Sequence, residues 1–97
     1  QDRLGRPARR YRHLDGESVW ARPLANGDVA VALVNRYPLA RGVAVDFAEV
    51  GADAHCWVRD CWRQRCEGKH ARRYSAVVPP HATKLIRLKA IDCLHCE

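Results

Sequence analysis

The stretch His55–Cys66, HCWVRDCWRQRC, packs three cysteines, two tryptophans, three arginines and a histidine into twelve residues. Cys56, Cys61 and Cys66 alternate there with Trp57, Trp62, Arg59, Arg63 and Arg65, and His55 stands at the start. Those residue types suit a metal or redox site, a nucleic-acid surface, or a β-strand that contains cysteines. Downstream, Cys93 and Cys96 form a C-x-x-C pair, and His70 and His95 are further candidate ligands. Structural zinc favours closely spaced cysteines on tight knuckles, and only CLHC at 93–96 has that spacing. Cys56 and Cys61 are five apart, so on one strand they point to opposite faces and do not converge on one ion without a bulge. The plainer reading is stronger: small buried hydrophobes upstream and a tail pair downstream. Five cysteines allow at most two disulfides with one thiol left over, so a Cys93–Cys96 bond and a link from the tail to Cys66 both remain open.

Catalysis finds little support. A cysteine nucleophile needs a base within hydrogen-bond reach, and His55 beside Cys56 on a strand faces the other way. The carboxylates Asp15, Glu17, Asp28, Asp46, Glu49, Asp53, Asp60 and Glu67 are scattered singly. No glycine-rich phosphate loop and no G-x-S-x-G is present. The formal net charge is +6, but Arg3, Arg6, Arg9, Arg10 and Arg12 supply most of it, and without that arm the remainder is nearly balanced. The arm and the tryptophans are a conceivable nucleic-acid surface. Trp20 and Trp62 alternate with apolar residues, however, and are expected in the core, which argues against nucleic-acid binding. Sugar contact through an exposed Trp57 or Tyr37 is of similar weight.

The elements that would position these groups are short strands. Residues 1 to about 14 form an arginine-rich lead-in without apolar period, and residues 91–97 a tail, leaving 15–90 as one domain. ESVWARPL reads as the first strand, with Pro23 near its end. Asn26-Gly27 suits a hairpin turn that needs positive φ, and Val29–Val34 is apolar on both faces. Ala30 and Ala32 are small, so something packs closely there. Val43, Val45 and Phe47 alternate with Asp46. CWVRDCW, RYSAVVP and HATKLIRLKA read as further strands, the last with Ile86 and Leu88 inward, and RQRCEGKHAR as a polar loop. No stretch of ten residues carries a helical period. The expectation is an all-β antiparallel sandwich of Greek-key type with about six to eight short strands. A chain of 97 residues buries roughly 60–70% of its extended-chain surface, enough for one modest core. No apolar run reaches about eighteen residues, so no membrane span is expected. Because it starts at Gln1 and contains no methionine, the chain reads as a fragment of something longer or as a processed product.

Several pieces in fixed order carry a resemblance: QDRLGRPARR at the start, VWARPLANGDVAVALVNR at 19–36, VRDCW at 58–62 and YSAVVPPHATKLIRL at 74–88. Together they resemble the C-terminal β-sandwich of melibiase-type α-galactosidases and α-N-acetylgalactosaminidases, glycoside hydrolase family 27. That resemblance implies a two-domain enzyme in which a (β/α)₈ barrel holds two catalytic aspartates and the sandwich packs on its side, inactive alone. The implied partner is that barrel, and the implied location secreted, periplasmic or lysosomal. No position matches the catalytic motifs, so no catalytic residue, metal or cofactor is carried over, and no sugar-binding residue is named. Structural positions are carried over. Gln1, Asp2, Leu4 and Gly5 would form the junction with the barrel. Trp20, Pro23 and Leu24 would lie in the first strand, and Asn35 and Arg36 at the end of the second. Arg59 and Asp60 would lead into a turn with Trp62, and Pro79, Pro80 and His81 would precede the last strand. Cys61 stands where the family pattern has leucine, as a smaller buried filler. The segment RQRCEGKHARR and the tail IDCLHCE have no counterpart in that pattern. The alternative is a free-standing β-sandwich that binds carbohydrate or polyanion.

Overall fold

A computed structural model describes residues 9–14, 16–24 and 27–90. Gln1, Asp2, Leu4, Gly5, Asn26, Cys93, Cys96 and His95 lie outside the described residues, as do the lead-in through residue 8 and the tail. The strands are β1 (Arg9–Leu14), β2 (Glu17–Pro23), β3 (Val29–Asn35), β4 (Arg41–Asp46), β5 (His55–Asp60), β6 (Arg65–Ala71), β7 (Arg73–Val78) and β8 (Ala82–Ala90). Six of them form one sheet in the order β1-β2-β3-β8-β5-β6, and β4 and β7 pair in a second. Every pairing is antiparallel.

Two expectations are corrected. Residues 9–14, read as part of an irregular arm, form β1, which pairs with β2 through a register shift between Arg10 and Arg12. The shift explains why no alternation shows in the sequence: a bulge breaks the period of two. Residues 65–71, read as a polar loop, form β6. Polar residues suit that position because β6 is an outer strand of the sheet with only half-buried and exposed side chains.

The core lies between the sheets and is rich in valine. Val19 and Ala21 of β2, Val29, Val31 and Leu33 of β3, Val58 of β5, and Ile86 and Leu88 of β8 face Val43 and Val45 of β4 and Tyr74 and Val78 of β7. Phe47, just after β4, is wholly buried. Its N–H donates to the Arg72 carbonyl at 2.9 Å and its carbonyl accepts from Ala52 at 2.8 Å, so the loop after β4 is tied into the wall. β-branched residues fit such a surface because their restricted χ1 costs little in a strand. β3 and β8 lie at the centre and pair over their whole shared length, from Val29 opposite Leu88 to Asn35 opposite Ala82. Where Asn26-Gly27 was expected to turn the chain, the connection closes through Leu24 N–H to Asp28 O (2.8 Å) and Gly27 N–H to Leu24 O (3.1 Å), with Gly27 at φ 91°.

The tryptophans are the third correction. Neither Trp20 nor Trp62 is in the core: Trp20 is half-buried on the outer face of the large sheet, and Trp62 is 75% exposed. Trp20 stands between the inward-facing Val19 and Ala21 and so points to the opposite face, and Trp62 lies in the turn beyond the end of β5. Cys61, read as a buried filler, is half-buried in the turn after β5, and the core cysteine is Cys56, 1% exposed.

Candidate functional site

Strand register builds two surfaces. On the outer face of the six-stranded sheet, Trp20 stands opposite Ala32 and Ala32 opposite Leu85. These three make an apolar row across three strands, and Arg10 stands opposite Trp20 at its β1 end. The small side chains of Ala30 and Ala32 leave a trough of about 360 Å³, bounded by Trp20, Arg22, Cys61 and Leu85. Leu85 is 42% exposed. The neighbouring row is cationic: Arg22 faces Ala30, Ala30 faces Arg87 and Arg87 faces Arg59. A third row sets Lys89 and Lys69 on either side of Trp57. The cations are held in place. Arg10 lies 5.8 Å from the Trp20 ring centre, Lys69 lies 4.9 Å from that of Trp57, and Arg87 Nε donates to Asp28 Oδ2 at 2.7 Å. Trp57 is therefore half-buried beneath a lysine rather than a free stacking plate.

The second surface is a cleft of about 430 Å³ at the side of the sandwich, between the β5–β6 turn and the start of β8. Trp62, Arg63, Val77, Pro79, Ala82, Thr83, Lys84 and Asp60 line it. Its inner end is an ionic cluster. Lys84 Nζ lies 2.9 Å from Glu67 Oε2 and 3.5 Å from Asp60 Oδ2, and Tyr74 Oη donates to Glu67 Oε1 at 2.6 Å. Asp60 Oδ1 accepts the backbone N–H groups of Trp62 (2.9 Å) and Arg63 (3.0 Å). Burial works against the charge on Asp60, but those two donors and Lys84 outweigh it and hold its carboxyl below the usual range. Burial likewise opposes the charge on Lys84, yet its bonds to Glu67 and Tyr74 raise its pKa. Tyr74 is raised by burial and by donating to Glu67.

The residues carried over by resemblance fall into separate groups. Asn35 ends β3, is wholly buried, and fastens two loops. Its Nδ2 donates to the carbonyls of Leu39 (2.9 Å), Val78 (2.9 Å) and Pro79 (3.2 Å), and its Oδ1 accepts the Tyr37 N–H at 2.9 Å. Arg36 beside it is exposed, and its N–H donates to the Gly16 carbonyl at 2.7 Å. Pro79, Pro80 and His81 carry the chain from one sheet to the other, with His81 at φ 54° and its N–H on the Tyr37 carbonyl at 3.2 Å. Pro23 ends β2 and Leu24 follows it, both half-buried. Arg59 reaches Gln64 Oε1 at 2.8 Å, bracing the turn that Asp60 caps. Asp60, Trp62 and Pro79 meet at the cleft, whereas Trp20 stands on the outer face. The sequence offered Glu67 only as one scattered carboxylate and did not point to Tyr74 or Lys84: they are 7 to 17 residues apart, and they meet only because β6 and β8 flank β5 in the large sheet while β7 of the second sheet brings Tyr74 against Glu67. Ala30 and Ala32 were the one local sign of the trough.

Among the described residues the cysteines do not assemble a site. Cys56 and Cys61 are free thiols. Burial, with Asp53 close by, pushes the Cys56 thiol up to about 11, and burial also raises Cys61. Cys66 is disulfide-bonded. Among the described residues no group of three His, Cys, Asp or Glu side chains could hold a metal ion, and no helix is long and apolar enough to cross a membrane.

Two antiparallel sheets around one core define the class: an all-β antiparallel sandwich. Residues 15–88 match the family model of the α-galactosidase C-terminal β-sandwich domain, and the chain belongs to that family. It is 33% identical to α-galactosidase 2 of Arabidopsis thaliana over 90 residues, covering 91% of this chain and 23% of the relative. It is also 33% identical to a probable α-galactosidase D of Aspergillus terreus over 91 residues, 92% of this chain and 14% of that one. Among solved structures, a GH27 β-L-arabinopyranosidase of Geobacillus stearothermophilus superposes with a TM-score of 0.83 at 24% identity, covering 88% of this chain and 20% of that protein. The α-galactosidase I of Mortierella vinacea superposes at 0.79 with 23% identity, over 84% and 23% of the two chains. These superpositions establish the fold. The chain thus spans less than a quarter of the length of these relatives.

Proposed function

We propose that this chain serves as the non-catalytic C-terminal sandwich of an α-galactosidase-type glycoside hydrolase, packing through the outer face of its large sheet against a catalytic domain that hydrolyses terminal α-galactosides. The observation that carries this reading is the apolar row Trp20–Ala32–Leu85, laid by register across three strands over an alanine-floored trough. Its centre is free of charge and its rim is cationic, the layout of a protein interface with an apolar core and polar border. Residues 1–14 would lead from the catalytic domain into the sheet through β1, residues 15–90 would be the sandwich proper, and residues 91–97 a tail. The chain alone would turn over no α-galactoside.

Leu85→Arg tests the reading. In the 97-residue chain the change sits on exposed surface and should shift stability by no more than about 0.5 kcal/mol. In the longer polypeptide it would place a charge in the domain interface and lower the unfolding temperature and the activity together. Equal effects in both settings would sink the packing role of this face.

A further inference from the structure

The two surfaces differ in a way that separates their ligands. The trough is charge-free at its centre, whereas the Trp62 cleft mixes an aromatic plate with charged and hydroxyl groups. Interfaces between proteins exclude charged side chains from their cores. Small-molecule sites instead combine apolar walls with a few placed polar groups. In the cleft, Trp62 is 75% exposed and Val77 73%, and Pro79 completes the apolar wall. The turn that carries Trp62 is not a loose loop, because Asp60 Oδ1 accepts the backbone N–H groups of Trp62 and Arg63, and Asp60 is itself held by Lys84. Among the described residues nothing engages the Arg63 guanidinium or the Thr83 hydroxyl, although both residues line the cleft. Lys84 is balanced by Asp60 and Glu67, which leaves Arg63 as the uncompensated charge.

We propose that this cleft binds a pyranose sugar, its C–H face stacked on Trp62 and its hydroxyls met by Thr83 and Lys84, with Arg63 favouring a ring that bears a carboxylate. A flat aromatic plate suits the apolar face of a pyranose, and a planar guanidinium grips a carboxylate by two parallel hydrogen bonds. The choice of a sugar rests on the reading of the chain as part of a glycoside hydrolase. The site is distinct from the packing face and binds without covalent chemistry.

The test is a two-dimensional NMR titration of the isotope-labelled 97-residue chain with galacturonate and, separately, with galactose. Saturable shifts centred on Trp62, Arg63 and Thr83 are expected, with a Kd on the order of 1 mM or weaker for galacturonate and weaker binding for galactose. Salt at 0.5 M should remove most of the difference, because it screens Arg63. Trp62→Ala should weaken binding about tenfold or more, and Trp62→Phe should retain it. Trp20→Ala, on the other surface, should leave it unchanged. Trp62 is exposed, so Trp62→Ala is expected to keep the folded spectrum, and that spectrum checks it directly. Absence of saturable shifts with either sugar, or shifts that survive Trp62→Ala undiminished, would overturn the proposal. A native polypeptide of only 11.0 kDa would instead undo the enzyme reading and leave this titration to be judged on its own outcome.

Discussion

Asn35 offers the sharpest quantitative prediction. The side chain is 0% exposed and serves four backbone groups, accepting from the Tyr37 N–H and donating to the carbonyls of Leu39, Val78 and Pro79. Its amide has two protons for three carbonyls, so one bond is shared. Asn35→Ala strands all four. The Val78 carbonyl is in a buried contact, and leaving it unmet costs about 1–3 kcal/mol; the part-buried groups, which water can reach, cost about 0.5–1.5 kcal/mol each. The sum is about 2.5–7.5 kcal/mol, a large share of the roughly 5–15 kcal/mol typical of a whole domain. Asn35→Asp keeps the shape and the acceptor for Tyr37 but aims oxygen at three carbonyls, so at neutral pH it should be at least as damaging. Burial and those carbonyls would raise the new carboxyl's pKa in the folded state above its unfolded value near 4. Relative to the parent chain, Asn35→Asp should therefore lose stability as pH rises through that raised value and recover part of it in acid. Urea unfolding followed by circular dichroism measures both variants by linear extrapolation. A loss below 1 kcal/mol in both would refute the idea that this amide fastens the end of β3 to the crossing between the sheets.

Three further outcomes follow from the geometry. Gly16 has φ 76° and the Tyr37 ring lies against it, so Gly16→Ala should cost on the order of 2–3 kcal/mol, combining left-handed strain of about 1–2 kcal/mol with displacement of a ring that also holds Arg41 at 4.0 Å; urea unfolding unchanged within 0.5 kcal/mol would show that the ring is elsewhere. Asp60 titrates below the usual carboxylate range because Trp62 N–H, Arg63 N–H and Lys84 overcome its burial, so its contribution is present above an unfolded pKa near 4 and lost as pH falls through the lower folded value; Asp60→Asn should flatten the stability profile below about pH 4, and an unchanged acid limb would contradict the assignment. Cys56 is 1% exposed with its thiol near 11, so a maleimide at pH 7.5 should label Cys61 and spare Cys56 until urea is added; mass mapping that finds Cys56 labelled in the native chain would contradict its place in the core.

The parts of the fold legible in the sequence were those whose pattern is local. The alternation of Val43, Val45 and Phe47, the apolar run from Val29, and the Pro79-Pro80 stop after β7 each set one strand by itself. β1 and β6 escaped because their information is not local: one is bulged and the other is an outer strand with polar side chains. The indoles of Trp20 and Trp62 were misplaced for a related reason. Hydropathy says that a tryptophan prefers burial, but the face of β2 that turns inward is chosen by Val19 and Ala21, and Trp62 falls beyond the end of β5. The trough rests on the register of β2, β3 and β8, and the ionic cluster on the packing of β5, β6 and β8 against β7 of the other sheet; no window of sequence contains either.

The proposed role, a sandwich that works as part of a larger hydrolase, can be decided on the native polypeptide. The most direct measurement is the mass and activity of the native polypeptide, captured from its source with an antibody against the chain and assayed with an aryl α-galactoside. A catalytic barrel of roughly 250 residues joined to this chain predicts a species on the order of 40 kDa that releases galactose, while the 97-residue chain releases none. A native species of 11.0 kDa, or a larger one without glycosidase activity, would contradict the account.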